Sequence, residues 1–178
     1  MIEYKRHYGL TDEELAAYPT VYRPDLFKGH VALVSGASTG IGRGIATLFA
    51  RLGADLVICS RNHERLTKAT EYFKRFGGRV LTEVMSIREP EQVEDLMDRT
   101  FAEYGRLDYL INNAGGQFAQ DAIDIPYKGW RAVIDTNLNG SWYMMQNAAK
   151  RWRAAGRPGH IINIVAVFFR GMPDAANT

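Results

Sequence analysis

From His30 onward, apolar positions along the chain fall into two alternating rhythms. Val31-Ala32-Leu33-Val34 is a short continuous apolar run, as expected of a strand covered on both faces. Ile41, Ile45, Leu48, Phe49 and Leu52 follow at helical spacing, and Gly53 ends the stretch; the spacing predicts a helix with these five on its buried side. Leu56-Val57-Ile58 reads as a second strand. Asn62 can cap a second helix, whose stripe is Leu66, Ala69, Thr70, Phe73 and Phe76 and which Gly77-Gly78 terminates. Val80 to Met85 is a third strand. Pro90 opens a third helix at a position that tolerates proline, with Val93, Leu96, Met97 and Phe101 inward and Gly105 at its end. Tyr109-Leu110-Ile111 is a fourth strand, Tyr127 to Ala155 a long helical region, and Ile161 to Val165 a fifth strand. Strands that alternate with helices in this way predict right-handed βαβ units. The expected fold class is α/β: a doubly wound parallel sheet with helices on both faces.

Residues 1–28 lack this rhythm. Tyr, Pro and charge dominate them, and only Asp12 to Tyr18 looks helical, with Thr11 or Asp12 as cap and Glu14 nearby. They read as an N-terminal extension lying on a surface, ahead of one domain over 29–178. A chain of 178 residues suits one domain with a substantial core. Hydrophobic residues at 46% and charged ones at 24% fit an ordinary globular protein. A net charge of +2 gives no reason to expect nucleic acid or an anionic membrane as partner. The basic cluster Lys150, Arg151, Arg153 and Arg157 reads as a solvated helix end beside a negative dipole terminus. Cys59 is the one cysteine, so no internal disulfide is expected, which suits a reducing, cytoplasmic setting. Met1 to Leu10 lacks the apolar segment of a signal peptide. The longest apolar stretch, Ile161 to Phe169, is too short for a membrane span. His7, His30, His63 and His160 show no metal-ligand spacing, and no metal is expected. Cys59 reads as core filler rather than nucleophile, and the turn Gly36 to Gly40 is not read as a nucleophile elbow.

Chemistry concentrates at the strand ends. The first turn reads Ser35-Gly36-Ala37-Ser38-Thr39-Gly40-Ile41-Gly42, directly between a strand and a helix. Glycines there permit a tight turn and close backbone approach, and the following helix offers unpaired N–H groups to a diphosphate. Gly36, Ser38, Thr39, Gly40, Ile41 and Gly42 are therefore candidate dinucleotide-binding residues. NAD-binding folds of this kind place an acid about 20 residues further on, against the ribose 2′-hydroxyl. Cys59-Ser60-Arg61 stands there instead, with Asp55 at the wrong end of the strand. Ser60 and Arg61 can hold a 2′-phosphate through charge-assisted hydrogen bonds, so the expected cofactor is NADP(H).

These residues resemble the short-chain dehydrogenase/reductase family. The turn fits its Thr-Gly-x-x-x-Gly-x-Gly motif, with Ser35 for the threonine; Asn112-Asn113-Ala114-Gly115 fits its Asn-Asn-Ala-Gly motif; Asn137 in Thr136-Asn137-Leu138 matches its helix asparagine. The resemblance runs from Gly29 to Thr178 and implies a Rossmann-type domain. It implies cofactor contacts at Asn113, Ala114 and Gly115, and a catalytic role for Asn137, kinking its helix and anchoring a water of the proton relay. Without the family, Trp130, Ile134, Asn137, Ser141 and Met145 share one helical face, so a buried, partnered Asn137 is expected. Gly140 suggests local distortion or close packing. Gly115-Gly116-Gln117-Phe118, Lys128-Gly129-Trp130, Tyr143-Met144, and Ser60-Arg61 followed by Glu64-Arg65-Leu66 look like the trans-2-enoyl-CoA reductase branch, best known from the peroxisomal enzyme. That likeness implies an acyl-CoA substrate and a homo-oligomer, a dimer or tetramer.

Three departures matter. The family's adenine-reading aspartate after the third strand is replaced by Ser86, followed by Ile87, which leaves a weaker side-chain contact beside the backbone. Its catalytic serine falls on Ala166 in Asn163-Ile164-Val165-Ala166, which has no hydroxyl for a developing alkoxide. This counts against a ketoreductase or alcohol dehydrogenase. Enoyl-thioester reduction is more tolerant, because charge develops on a thioester enolate oxygen away from the hydride acceptor. The family's Tyr-x-x-x-Lys motif and last two strands would follow Thr178, so the sheet is expected to miss its last strands. The 178 residues alone are then expected to be inactive and marginally stable, with an unpaired edge at the fifth strand. A dienoyl-CoA reductase is a near neighbour of this reading, and a non-catalytic dinucleotide-binding module is the rival of another class.

Overall fold

The computed structural model describes residues 9–118 and 120–166; residues 167–178, with the end of the Ile161–Phe169 run, and most of Met1–Leu10 lie outside them. Five strands are described: β1 (Val31–Ser35), β2 (Asp55–Ser60), β3 (Val80–Val84), β4 (Tyr109–Asn112) and β5 (His160–Asn163). They form one sheet in the order β3-β2-β1-β4-β5, all parallel. The helices are α1 (Asp12–Ala17), α2 (Gly40–Arg51), α3 (His63–Lys74), α4 (Pro90–Tyr104), α5 (Tyr127–Ile134) and α6 (Ser141–Ala154). After β3 the chain returns to the centre and sets β4 on the other side of β1. The winding therefore reverses between β1 and β4, which opens a crevice beyond the carboxyl ends of those strands.

Side-chain alternation along β1 explains its unbroken apolar run. Val31 and Leu33 enter one core layer with Val93, Leu96 and Met97 of α4 and Met144, Ala148 and Trp152 of α6. Ala32 and Val34 enter the other with Ala46 and Ala50 of α2 and Leu66, Ala69 and Phe73 of α3. A strand buried on both faces has no polar side to show. Helix ends follow local chemistry: Asn62 accepts from the Arg65 N–H, Pro90 occupies the first turn of α4, and Gly105 ends it at φ 67°. Val31 and β4 are tied at their starts by Asp108, whose Oδ2 accepts from the Val31 N–H at 2.8 Å while Arg106 donates to it.

Two expectations require correction. Of the five residues expected on the buried side of α2, Leu52 is buried and Ile45 and Phe49 pack against the core, but Ile41 is 67% exposed and Leu48 also faces outward. The buried residues of the helix itself are Gly42, Ala46, Thr47 and Ala50. Small residues win because α2 must approach the strand ends closely at its start. The helical region over 127–155 is not continuous: Asp135–Gly140 is a π-helical segment between α5 and α6. Such a segment adds a residue to the turn and rotates the following register. Thr136 and Gly140 are thereby buried, Trp130 is 54% exposed, and the common face expected for Trp130, Asn137 and Met145 does not form. Gly140 leaves room for Ile87, whose Cγ1 would lie 2.7 Å from an added Cβ.

From Gly9 on, the extension is held against the domain. Thr11 and Glu14 form the capping box of α1. Phe27 packs on Phe49 and Tyr109 at ring distances of 4.7 and 5.3 Å. Arg151, in the basic cluster expected to be solvated, donates to Asp98 of α4. Among the described residues no helix is long and apolar enough to cross a membrane, and no cluster of His, Cys, Asp or Glu could hold a metal.

Candidate functional site

A cleft of about 680 Å³ lies at the switch point. Its floor is two loops pinned together. Ser35 Oγ accepts from the backbone N–H groups of Asn113 and Ala114, each at 3.0 Å. Asn113 Nδ2 donates back to the carbonyls of Ser35 (3.0 Å) and Gly36 (3.3 Å). Neither glycine of this floor has space for a side chain. Gly36 stands at φ +67°, and a Cβ there would lie 3.0 Å from Ala114 Cα; a Cβ on Gly42 would run into the Asn113 amide. Gly36, Asn113, Ala114 and Gly115 all line the cleft, as expected for them.

The β2 end forms the second wall. Ser38 Oγ donates to Ser60 Oγ at 3.1 Å, joining the glycine turn to that strand end. Ser38, Thr39, Ser60 and Arg61 line the cleft together. So do Arg65, named above only within the Glu64-Arg65-Leu66 resemblance, and Arg88, neither of which the sequence marked as a cofactor contact. Arg65 stands in the first turn of α3, four residues from Arg61, a spacing that places both beside the same strand end. Among the described residues, three arginines and no carboxylate thus line the cleft. Asp55 is remote, at the start of β2, where Arg79 Nη2 donates to it at 2.8 Å. Ser86 and Ile87 line the cleft too, with Ser86 Oγ accepting from the Arg88 N–H. Arg88 Nε in turn donates to Thr136 Oγ1, which holds its guanidinium toward the π segment.

Gly40, Ile41 and Gly42 do not line the cleft. They form the opening turn of α2, whose first N–H groups have no partner within the helix. Hydroxyls, cations and a helix N-terminus with no acid in its own first turn suit a ligand carrying several negative charges. A glycine floor that a Cβ would fill suits one whose phosphates approach the backbone.

Asn137 departs from expectation. It is exposed, not buried, and its amide is satisfied by one backbone unit: Oδ1 accepts from the Gly116 N–H at 3.0 Å and Nδ2 donates to the Gly116 carbonyl at 2.9 Å. The π segment turns this side chain toward the loop after β4. Asn137 therefore anchors Gly115-Gly116 at the cleft edge. Cys59 is buried in the core, and burial pushes its thiol up to about 12. Gly36 to Gly40 does spell Gly-x-Ser-x-Gly, the nucleophile-elbow pattern. Ser38 nevertheless bonds Ser60, and among the described residues no histidine lines the cleft to act as its base.

Residues 30–172 match the model of the short chain dehydrogenase family. The chain belongs to that family. Among curated relatives of the family, the peroxisomal 2,4-dienoyl-CoA reductase [(3E)-enoyl-CoA-producing] of Danio rerio is 34% identical over 163 residues, 90% of this chain and 54% of that protein. The 2-dehydro-3-deoxy-D-gluconate 5-dehydrogenase of Escherichia coli (strain K12) is 37% identical over 145 residues, 81% of this chain and 56% of that protein. A metagenomic short-chain oxidoreductase solved in complex with NADP aligns with TM-score 0.77 at 31% identity, covering 84% of this chain and 68% of that one. The chain thus spans about half the length of the curated relatives it matches.

Proposed function

We propose that the protein is an NADP(H)-dependent oxidoreductase that reduces the α,β double bond of a trans-2-enoyl-CoA thioester. The observation that carries the cofactor reading is the β2 end, where Ser38, Ser60, Arg61 and Arg65 meet with no acid among the described residues that line the cleft. A carboxylate there would repel a 2′-phosphate; a guanidinium donates charge-assisted hydrogen bonds to it. On this reading the opening turn of α2, Gly40-Ile41-Gly42, holds the diphosphate. Ser86 and Ile87 flank the adenine, and Asn113, Ala114 and Gly115 line the nicotinamide half. When bound, the cofactor supplies a hydride. Asn137 holds the loop beside that half and presents its exposed edge to a water.

The substrate class is supported by two features. Ala166, just after β5, puts no hydroxyl where a carbonyl reduction would need a donor to the alkoxide. The dienoyl-CoA reductase among the relatives acts on a conjugated acyl-CoA, a neighbouring chemistry. The sugar-acid dehydrogenase relative favours a second reading, carbonyl reduction, against which Ala166 weighs. Residues 1–28 are taken as an extension of the dinucleotide-binding domain, and the working protein as a homo-oligomer in the cytoplasm.

The deciding experiment follows loss of NADPH absorbance in protein made from the whole reading frame. Trans-2-enoyl-CoA, 2,4-dienoyl-CoA and a 5-keto sugar acid are offered in turn, each with NADH as control. Oxidation of NADPH with the enoyl-CoA supports the reading. Turnover of the dienoyl-CoA or of the keto acid alone moves the substrate to that class. Equal use of NADH overturns the cofactor assignment.

A further inference from the structure

Residues 9–18 precede the 30–172 segment that matches the family, yet three arginines of the domain grip them. Arg51 donates to the carbonyls of Leu15 (3.0 Å) and Tyr18 (2.6 Å), closing the C-terminal end of α1. Arg75 pairs with Glu13 at 3.6 Å. The third contact differs in where it leads. Arg43 Nη2 donates to Asp12 Oδ2 at 2.5 Å, while Nη1 of the same guanidinium donates to the Ser38 carbonyl at 3.2 Å. The guanidinium lies 4.6 Å over the Tyr72 ring, and the Tyr72 hydroxyl donates to the Asp12 carbonyl at 3.0 Å. Only 14% of the Arg43 side chain is exposed, and its Nε is buried with no hydrogen-bond partner among the described residues. Asp12, Ser38 and the aromatic face therefore fix its position.

The line of contacts continues into the cleft. The Ser38 carbonyl is held by Arg43, and the Ser38 hydroxyl donates to Ser60, next to Arg61. We infer that Asp12, acting through Arg43, positions Ser38 and so tunes the adenosine end of the cleft for a 2′-phosphorylated dinucleotide. This rests on the NADP(H) reading. Asp12 is a positioning residue: it does not line the cleft. Its removal leaves Arg43 a largely buried cation without its counter-charge, which such sites tolerate poorly. Arg43 then leaves the Ser38 carbonyl, and the peptide that orients the Ser38 hydroxyl is no longer held.

The test measures equilibrium affinity for NADP+ and NAD+ by fluorescence titration of protein made from the whole reading frame. The variants are Asp12→Asn, Arg43→Gln, the double variant, and Glu13→Gln as control. Glu13→Gln removes a grip on α1 that touches no cleft residue. Asp12→Asn is expected to weaken NADP+ about fivefold and to change NAD+ by less than about twofold. The double variant is expected to match Arg43→Gln alone, since both act through one contact. Glu13→Gln is expected to leave the preference for NADP+ unchanged. Equal loss of both nucleotides in Asp12→Asn, or additive effects in the double variant, overturns the inference. So does an undiminished preference in Asp12→Asn. Wild-type protein that binds NAD+ as tightly as NADP+ overturns the 2′-phosphate reading itself, and the inference with it.

Discussion

Asn113 and Arg61 illustrate two ways a single residue carries information about the site. Asn113 works through geometry: its amide bonds two carbonyls of the glycine turn, so its size and its two donors are both used. The same contact explains why position 42 has no side chain. Arg61 works through charge, and a surface arginine could stand at a helix start for no reason at all. What distinguishes it is company: Arg65 beside it, the hydroxyls of Ser38 and Ser60, and no acid among the described residues of the cleft lining. Arg61→Ala is expected to weaken NADP+ by roughly tenfold while sparing NAD+, read by the same fluorescence titration. A loss shared equally by both nucleotides would instead assign Arg61 to the diphosphate.

Among the elements, strands were more legible than helices. The apolar runs of β1, β2 and β4 are buried, so their composition alone marks them, whereas β3 is a half-buried edge strand. α4 carried its own punctuation in Pro90 and Gly105. α2 was legible at its end, where Leu52 is buried and Ile45 and Phe49 pack against the core, but misled at its start: the helix begins against the glycine turn, and contact distance selects Gly42 and Ala46 over Ile41. The break between α5 and α6 had two visible signals, Gly140 and the helix asparagine Asn137. At Gly140, Ile87 from the loop after β3 fills the place of a side chain. Gly140→Ala is expected to cost about 1–3 kcal/mol through overpacking, measured by urea denaturation. Because Ile87 lines the cleft, the variant is also expected to weaken dinucleotide binding. Unchanged stability would show that Ile87 yields without cost.

At the scale of the whole molecule, several large apolar side chains stand exposed among the described residues. All of β5 is exposed, Val165 after it is 72% exposed, and Trp130 and Trp142 are each 54% exposed. The curated relatives extend to nearly twice the span matched here. The 178-residue chain by itself is expected to bind an apolar fluorescent dye and to self-associate, measured by dye titration and size-exclusion chromatography. Protein made from the whole reading frame is expected to bind far less dye. Equal dye binding by the two would mean that these side chains stay exposed in the working molecule and serve a partner.

Sequence by itself determined what depends on neighbours in the chain. The alternation of periods two and 3.6, the caps at Thr11, Asn62, Pro90 and Gly105, and the glycine turn between a strand and a helix are all local, and all stand in the structure. Motif residues at strand ends were legible for the same reason, since a parallel sheet brings every carboxyl end to one side. Tertiary structure decided what depends on distant partners. It placed Arg65 and Arg88 in the cleft and turned Asn137 outward onto Gly116. It also joined Asp12 to Ser38 through Arg43, across a separation in sequence that no periodicity spans. A side chain's direction depends on the register of its helix and on what packs against it. Those are properties of contacts between elements, which local pattern does not encode.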